Sequence, residues 1–161
     1  MSLMPPDRHF RWALAADAEG LADVMFDSVR NGESPYSEAQ RAAWVPARPA
    51  GEAWAGRLRS QDVLVAEQEG APVGFMTLAE GGYIDLAFIR PAARGSGLFR
   101  EMLARIVERA EARGEARLWT HASLTAEPAF ARHGFVMLGR ERVRVRDQEL
   151  ERCEMERQLR A

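Results

Sequence analysis

The stretch FIRPAARGSGLFREML, residues 88–103, organises the reading of this chain. An apolar run ending at Ile89 is strand-like, and from Leu98 onward the apolar residues recur at helical spacing. Leu98, Phe99, Met102, Leu103, Ile106, Val107 and Ala110 make one stripe, with Arg100, Glu101, Arg105, Glu108 and Arg109 off it. Gly95 and Gly97 stand at the junction. A helix N-terminus leaves backbone N–H groups without partners and carries partial positive charge, so an anion such as a phosphate suits it. Glycine lets backbone approach that anion closely and tolerates positive φ. Arg94 adds a cation and Ser96 a hydroxyl. The spacing predicts a pyrophosphate cradle on a helix over 97–113, stopped by Gly114. The alternative is that both glycines only make a tight turn.

Two common nucleotide signatures are missing. A Walker loop needs Gly-Lys-Ser/Thr, and no lysine lies near. The dinucleotide fingerprint needs a glycine where Arg100 stands.

Working outward, HFRWAL reads as a strand, and residues 17–30 as a helix with Leu21, Val24, Met25 and Ser28 on one face. Helical or irregular pieces follow over 37–44 and 51–59. DVLVAEQ, PVGFMTLA and YIDLAFI predict three strands joined by tight turns. After the helix of the glycine junction, ARLWTHA reads as a strand parallel to YIDLAFI, because a helix that long makes a crossover. A short helix over 125–133 ends at Gly134. FVMLGRERVRV and LERCEMERQL predict a closing hairpin. The sum is a single α+β domain over residues 1–161, with one mixed, mostly antiparallel sheet of six to seven strands and about four helices.

The totals narrow the function. The chain has 161 residues, 47% of them hydrophobic, with 22 basic and 24 acidic side chains and a net charge of -2. This balance leaves no electrostatic footprint for nucleic acid or an anionic membrane. No apolar run approaches the ~20 residues of a membrane span, and MSLMPPDRHF lacks the apolar stretch of a signal peptide. With Cys153 as the one cysteine, neither an internal disulfide nor a cysteine zinc site is expected. His9, His121 and His133 are too scattered to suggest a metal site. These features point to a cytoplasmic protein without a metal.

The order of elements resembles the GNAT superfamily of acyl-CoA-dependent N-acetyltransferases, over nearly the whole chain. FRWALAADAEGLADVMFDSVR is similar to that family's opening strand and first helix. LAFIRPAARGSGLF is similar to its fourth strand and acyl-CoA loop, Q/R-x-x-G-x-G/A, with Arg94 at the first position and Gly97 at the fourth. SLTAEPAFARHGF resembles the helix ending in Gly-Phe, here Gly134 and Phe135. YSEAQRAAW and THASLTAEPAFARHGF resemble a bacterial branch of small acetyltransferases.

The resemblance implies acetyl-CoA as co-substrate and a small-molecule primary amine as acceptor, attacked directly. It implies a splay between strands four and five that takes the pantetheine arm. The backbone near Phe88 and Ile89 would pair with that arm, and the amides of Gly95, Ser96, Gly97, Leu98 and Phe99 would hold the pyrophosphate. Homodimers are frequent in the family. A non-catalytic acyl-CoA sensor of the same fold is the alternative function. An unrelated nucleotide binder is a third reading.

Three departures stand out. Phe99 replaces the usual Gly or Ala, and its place on the apolar stripe predicts burial between helix and sheet. Phe130 stands where many members carry a tyrosine general acid, four residues before Gly134. Ser123 stands near an asparagine position often used to fix CoA.

The acceptor amine must lose a proton, so a base is needed. Asp85 on the fourth strand is the candidate base, or else a salt-bridge partner. His121 is a candidate base or acid, or else a histidine hydrogen-bonded beside the sheet. Tyr83 shares a face with Asp85 and would line the acceptor site or simply pack on the sheet. Tyr36 and Trp44 would wall the acceptor pocket or form a small local core. Cys153 reads as a core residue, and His133 as a cation at a helix end.

Overall fold

A computed structural model of the chain describes residues 7–159. Eight strands and five α-helices follow in the order β1 (Arg8–Trp12), α1 (Ala18–Arg30), α2 (Glu38–Trp44), α3 (Gly51–Arg59), β2 (Asp62–Gln68), β3 (Ala71–Leu78), β4 (Tyr83–Ile84), β5 (Ala87–Ile89), α4 (Leu98–Ala112), β6 (Arg117–Ser123), α5 (Glu127–Arg132), β7 (Val136–Val145) and β8 (Gln148–Gln158).

The strands form two four-stranded sheets, ordered β1-β2-β3-β5 and β4-β6-β8-β7. This corrects the expectation of one sheet of six to seven strands and about four helices. The stretch YIDLAFI is divided. Tyr83 and Ile84 pair in parallel with Trp119 and Thr120, as the crossover argument required. Ala87–Ile89 pairs antiparallel with β3. The remaining pairings are antiparallel.

The division has a physical cause. Between the two pieces, the buried Leu86 turns toward β3, where its N–H donates to Thr77 Oγ1 at 2.9 Å and its C=O accepts from the Thr77 N–H. On the other side Thr120 Oγ1 donates to the Ile84 carbonyl at 2.8 Å. Buried polar backbone must be partnered, and these two hydroxyls supply partners where the ladder stops.

Helices cover both faces of the first sheet. Leu64, Ala66, Met76 and Leu78 face α4, packing on Leu98, Met102, Leu103 and Ile106. Val63, Val65 and Phe75 face α1 and α3, packing on Leu21, Val24, Trp54 and Leu58. Burial on both sides explains the uninterrupted apolar VLVA of β2. Beyond Ile84 and Thr120, β5 and β6 no longer pair, and a cleft opens between them.

Candidate active site

The glycine junction builds the floor of this cleft. Gly95 and Gly97 have φ of 73° and 82°, and a Cβ added at either would meet no atom within 4 Å. Only glycine adopts this left-handed backbone without strain, and the space in front of it is open. Gly97 caps α4 without any side-chain bond to the helix. Among the described residues, no protein acceptor takes the N–H groups of residues 95–100. Six consecutive amides without a protein acceptor at the start of a 15-residue helix are the arrangement that suits an anion.

The side chains expected to assist are committed elsewhere. Arg94 donates to the Ser28 carbonyl at 2.7 Å and the Glu33 carbonyl at 3.3 Å, tying the loop to the end of α1 while still lining the cleft. The Ser96 hydroxyl turns back to the Ala93 carbonyl. The backbone is thus what the cradle offers an anion.

From the cradle a cavity of about 500 Å³ runs along β5 to Ser123, Ala126 and Ala129. Leu86 and Arg90 direct their backbone groups at β3. By strand alternation Phe88 does the same, and the N–H and C=O of Ala87 and Ile89 face the open side. So Ile89 has free backbone toward the cleft, whereas Phe88 offers its ring. The Ser123 hydroxyl accepts the Ala126 N–H at 3.1 Å and keeps its own proton available.

Phe99 differs from its expected position. It is half-buried, edge-on to Phe130 with ring centres 5.0 Å apart, and 5.5 Å from His133. It bridges α4 to α5 and lines the cavity, while its neighbour Leu98 is buried with Met102, Leu103, Ile106 and Ala110 of the stripe.

A second chamber of about 200 Å³ adjoins the first; Trp44, Ala87, Phe88, Ser123 and Ala126 line both. Tyr36, Tyr83, Asp85, His121 and Phe130 all line it, so residues far apart in sequence converge. Tyr36 is buried. Its hydroxyl accepts the Leu124 N–H at 2.9 Å and donates to the Glu151 carbonyl, and its ring meets Trp44 edge-on at 5.8 Å. It is therefore a structural strut whose face also walls the chamber. Phe130, 1% exposed, stacks against Phe99 and Phe135.

Asp85 is clamped. Arg57 donates to both of its oxygens at 2.8 Å, and Gln61 adds a bond at 3.0 Å. Burial pushes the carboxyl pKa up, but the bonds from Arg57 and Gln61 and the Arg57 charge outweigh it and hold it below the ordinary value. A carboxylate so engaged is a weak base. His121 Nδ1 instead meets the Tyr83 hydroxyl at 2.9 Å. Burial, then the Asp85 charge, raises the Tyr83 pKa, which keeps the phenol protonated.

Cys153 is fully buried, with its thiol donating to Glu127 at 3.3 Å; burial pushes its pKa to about 11. That suits a core residue. His133 bonds the Ala129 carbonyl at 2.7 Å. Among the described residues no group of three metal-ligating side chains comes together, and no helix is long and apolar enough to cross a membrane.

Arg57, Gln61, Thr77, Thr120 and Arg152 escaped sequence reasoning. Only Arg57 and Gln61 carried a signal, being four apart at a helix end and so able to reach one partner.

An open helix start beside two diverging strands of a two-sheet α+β domain is the architecture shared with the acetyltransferases that this chain matches. The chain belongs to the GNAT acetyltransferases: the model described as an acetyltransferase (GNAT) domain matches residues 33–155. It is 33% identical over 131 residues to the uncharacterized N-acetyltransferase YafP of Escherichia coli K12, covering 81% of this chain and 82% of that protein. It is similar to a solved GCN5-related N-acetyltransferase from Rhodopseudomonas palustris, also titled a class-II aminotransferase, with a TM-score of 0.88, 30% identity and 98% of each chain covered. A phosphinothricin acetyltransferase from Sinorhizobium meliloti, solved with AcCoA, shares the fold with a TM-score of 0.72 at 23% identity, over 95% of this chain and 89% of that one.

Proposed function

We propose that this GNAT acetyltransferase moves the acetyl group of acetyl-CoA to a primary amine of a small molecule by direct attack. One observation carries the reading: the free amides of residues 95–100 open into a cleft that leads to a second, mixed polar and aromatic chamber. The amides hold the pyrophosphate. The exposed backbone of Ala87 and Ile89 pairs with the pantetheine arm, and the Ser123 hydroxyl donates to the same arm. The thioester reaches the waist at Ala87, Phe88, Ser123 and Ala126, where the amine arrives from the second chamber.

Tyr36, Trp44 and Tyr83 wall the acceptor side. Asp85 serves as the anchor of Arg57, and His121 supplies the titratable nitrogen. Cys153 is buried and lines neither chamber, which argues against an acetyl-enzyme through its sulfur, and its unpaired state suits the bacterial cytoplasm.

Phe130 favours a second reading, a sensor that binds acyl-CoA without turnover, because no tyrosine stands there to protonate the leaving thiolate. Calorimetric titration with CoA, acetyl-CoA, ATP and NAD, followed by a thiol-release screen over amines, separates the two. The enzyme reading expects CoA binding and release that depends on the amine. Binding without release for any amine supports the sensor.

A further inference from the structure

The second chamber holds a pair of side chains in direct hydrogen-bond contact. The Tyr83 hydroxyl lies 2.9 Å from His121 Nδ1, and both residues line the chamber. They come from β4 and β6, joined across the sheet only because those strands pair in parallel, Tyr83 against Trp119. Alternation along β6 then puts His121 on the same face as Trp119, and the three rings pack together, Tyr83 on Trp119 at 4.4 Å and His121 on Tyr83 at 5.7 Å. The packing holds the pair's geometry.

The charged surroundings set the tautomer. His121 Nε2 lies 3.9 Å from Glu141 of β7 and 4.0 Å from Glu154 of β8. Two carboxylates on that side favour an N–H at Nε2, which leaves Nδ1 as the acceptor and Tyr83 as the donor. Arg152 of β8 faces the same group and is paired to Glu141 at 2.6 Å. Behind Tyr83 stand Asp85 and Arg57, each neutralising the other. The phenol oxygen keeps lone pairs for a proton coming from the chamber, and its raised pKa keeps the hydroxyl proton in place until then.

We propose that Tyr83 and His121 act as one proton relay for the acceptor amine, the Tyr83 oxygen taking the amine proton as its own hydroxyl proton passes to His121 Nδ1. This rests on the acetyltransferase reading above. The amine nitrogen forms its bond to the thioester carbonyl carbon and gives up one proton to the phenol oxygen. The C–S bond breaks and CoA leaves as the thiolate. The thiolate takes a proton from water, and the imidazolium, stabilised by Glu141 and Glu154, returns its extra proton to solvent. The sum is amine plus acetyl-CoA going to amide plus CoA. In this scheme Tyr83 touches the substrate, and His121 acts through it.

The test uses full-length protein with Tyr83→Phe, His121→Gln and the double variant. Tyr83→Phe keeps the ring on Trp119, so it folds. In ¹⁵N-labelled, ligand-free protein the imidazole nitrogens should report the Nε2–H tautomer, and the Nδ1 signal should move in Tyr83→Phe. With an active amine, each single variant should lower kcat by about 10²-fold, and the double variant no further, because the two act as a unit. The acid limb of the parent rate should vanish in Tyr83→Phe, while CoA affinity stays unchanged. Turnover that survives in Tyr83→Phe with the same acid limb overturns the relay alone, as do losses that multiply in the double variant. A parent that binds CoA and acetylates no amine overturns the acetyltransferase reading and the relay together.

Discussion

Thr77 and Thr120 grip the two sides of the broken fourth strand. Thr77 Oγ1 accepts the Leu86 N–H at 2.9 Å, and Thr120 Oγ1 donates to the Ile84 carbonyl at 2.8 Å. They are 0% and 4% exposed, the two buried polar residues among the described ones. Their hydroxyls satisfy backbone groups where the ladder ends, and so the cleft begins at a fixed point. Thr77→Val should orphan the Leu86 N–H and cost about 1–3 kcal/mol. Thr77→Ser should recover most of that. The denaturant midpoint at constant slope measures both, and an unchanged midpoint in the valine variant would show that the hydroxyl is dispensable.

Gly97→Val tests the cradle. A Cβ here meets no protein atom within 4 Å, so the fold should persist with about 1–2 kcal/mol of left-handed strain. It projects instead into the space an anion would use. Loss of one or two amide bonds to a charged group, each about 1.5–3 kcal/mol, should weaken CoA by at least about tenfold. Equal CoA affinity by calorimetry in a folded variant would refute the assignment.

The Arg57–Asp85 pair predicts a pH dependence of stability. The folded Asp85 pKa lies below its ordinary value of 3.8. Such a group stabilises the fold fully above the unfolded pKa, and that stabilisation fades as pH falls through the folded value. The stability difference between parent and Asp85→Asn should therefore be flat at neutral pH and shrink in acid, below about pH 4. Chemical denaturation across pH measures it. A difference that grows on acidification would reverse the sign and refute the clamp.

Phe99 is half-buried and shares an edge-on contact with Phe130. Phe99→Ala should cost about 1–2 kcal/mol, below the ~3–5 kcal/mol of a fully buried phenylalanine. Its ring also lines the cavity proposed for CoA, so the variant should weaken CoA modestly. A stability loss at the fully buried level would show that the ring carries more of the core than its exposure implies.

Cys153, with its pKa near 11, should resist thiol reagents at pH 8 in the folded state, where on the order of one in 10³ thiols is ionised. It should react fully in denaturant. Rapid labelling under native conditions would mean that α5, whose Glu127 receives the thiol, opens easily.

Most helices and strand positions were legible before any coordinate. The stripe from Leu98 to Ala110 could bury itself only as a helix, and the glycines before it marked where that helix starts. The crossover length made β4 and β6 parallel, and the glycines marked the left-handed turn before α4. These are local properties: periodicity, φ preference and connection length act within a few residues. Tertiary structure decided the rest. YIDLAFI reads as one strand because no turn residue interrupts it, and only Thr77 and Thr120, from two other strands, divide it. Asp85 read either as a base or as a salt-bridge partner until α3 brought Arg57 against it. Tyr83 and His121 are 38 residues apart and become partners only through parallel pairing. Nothing local records such partners, because the proton, charge and backbone groups that define a site are matched across space after the chain has folded.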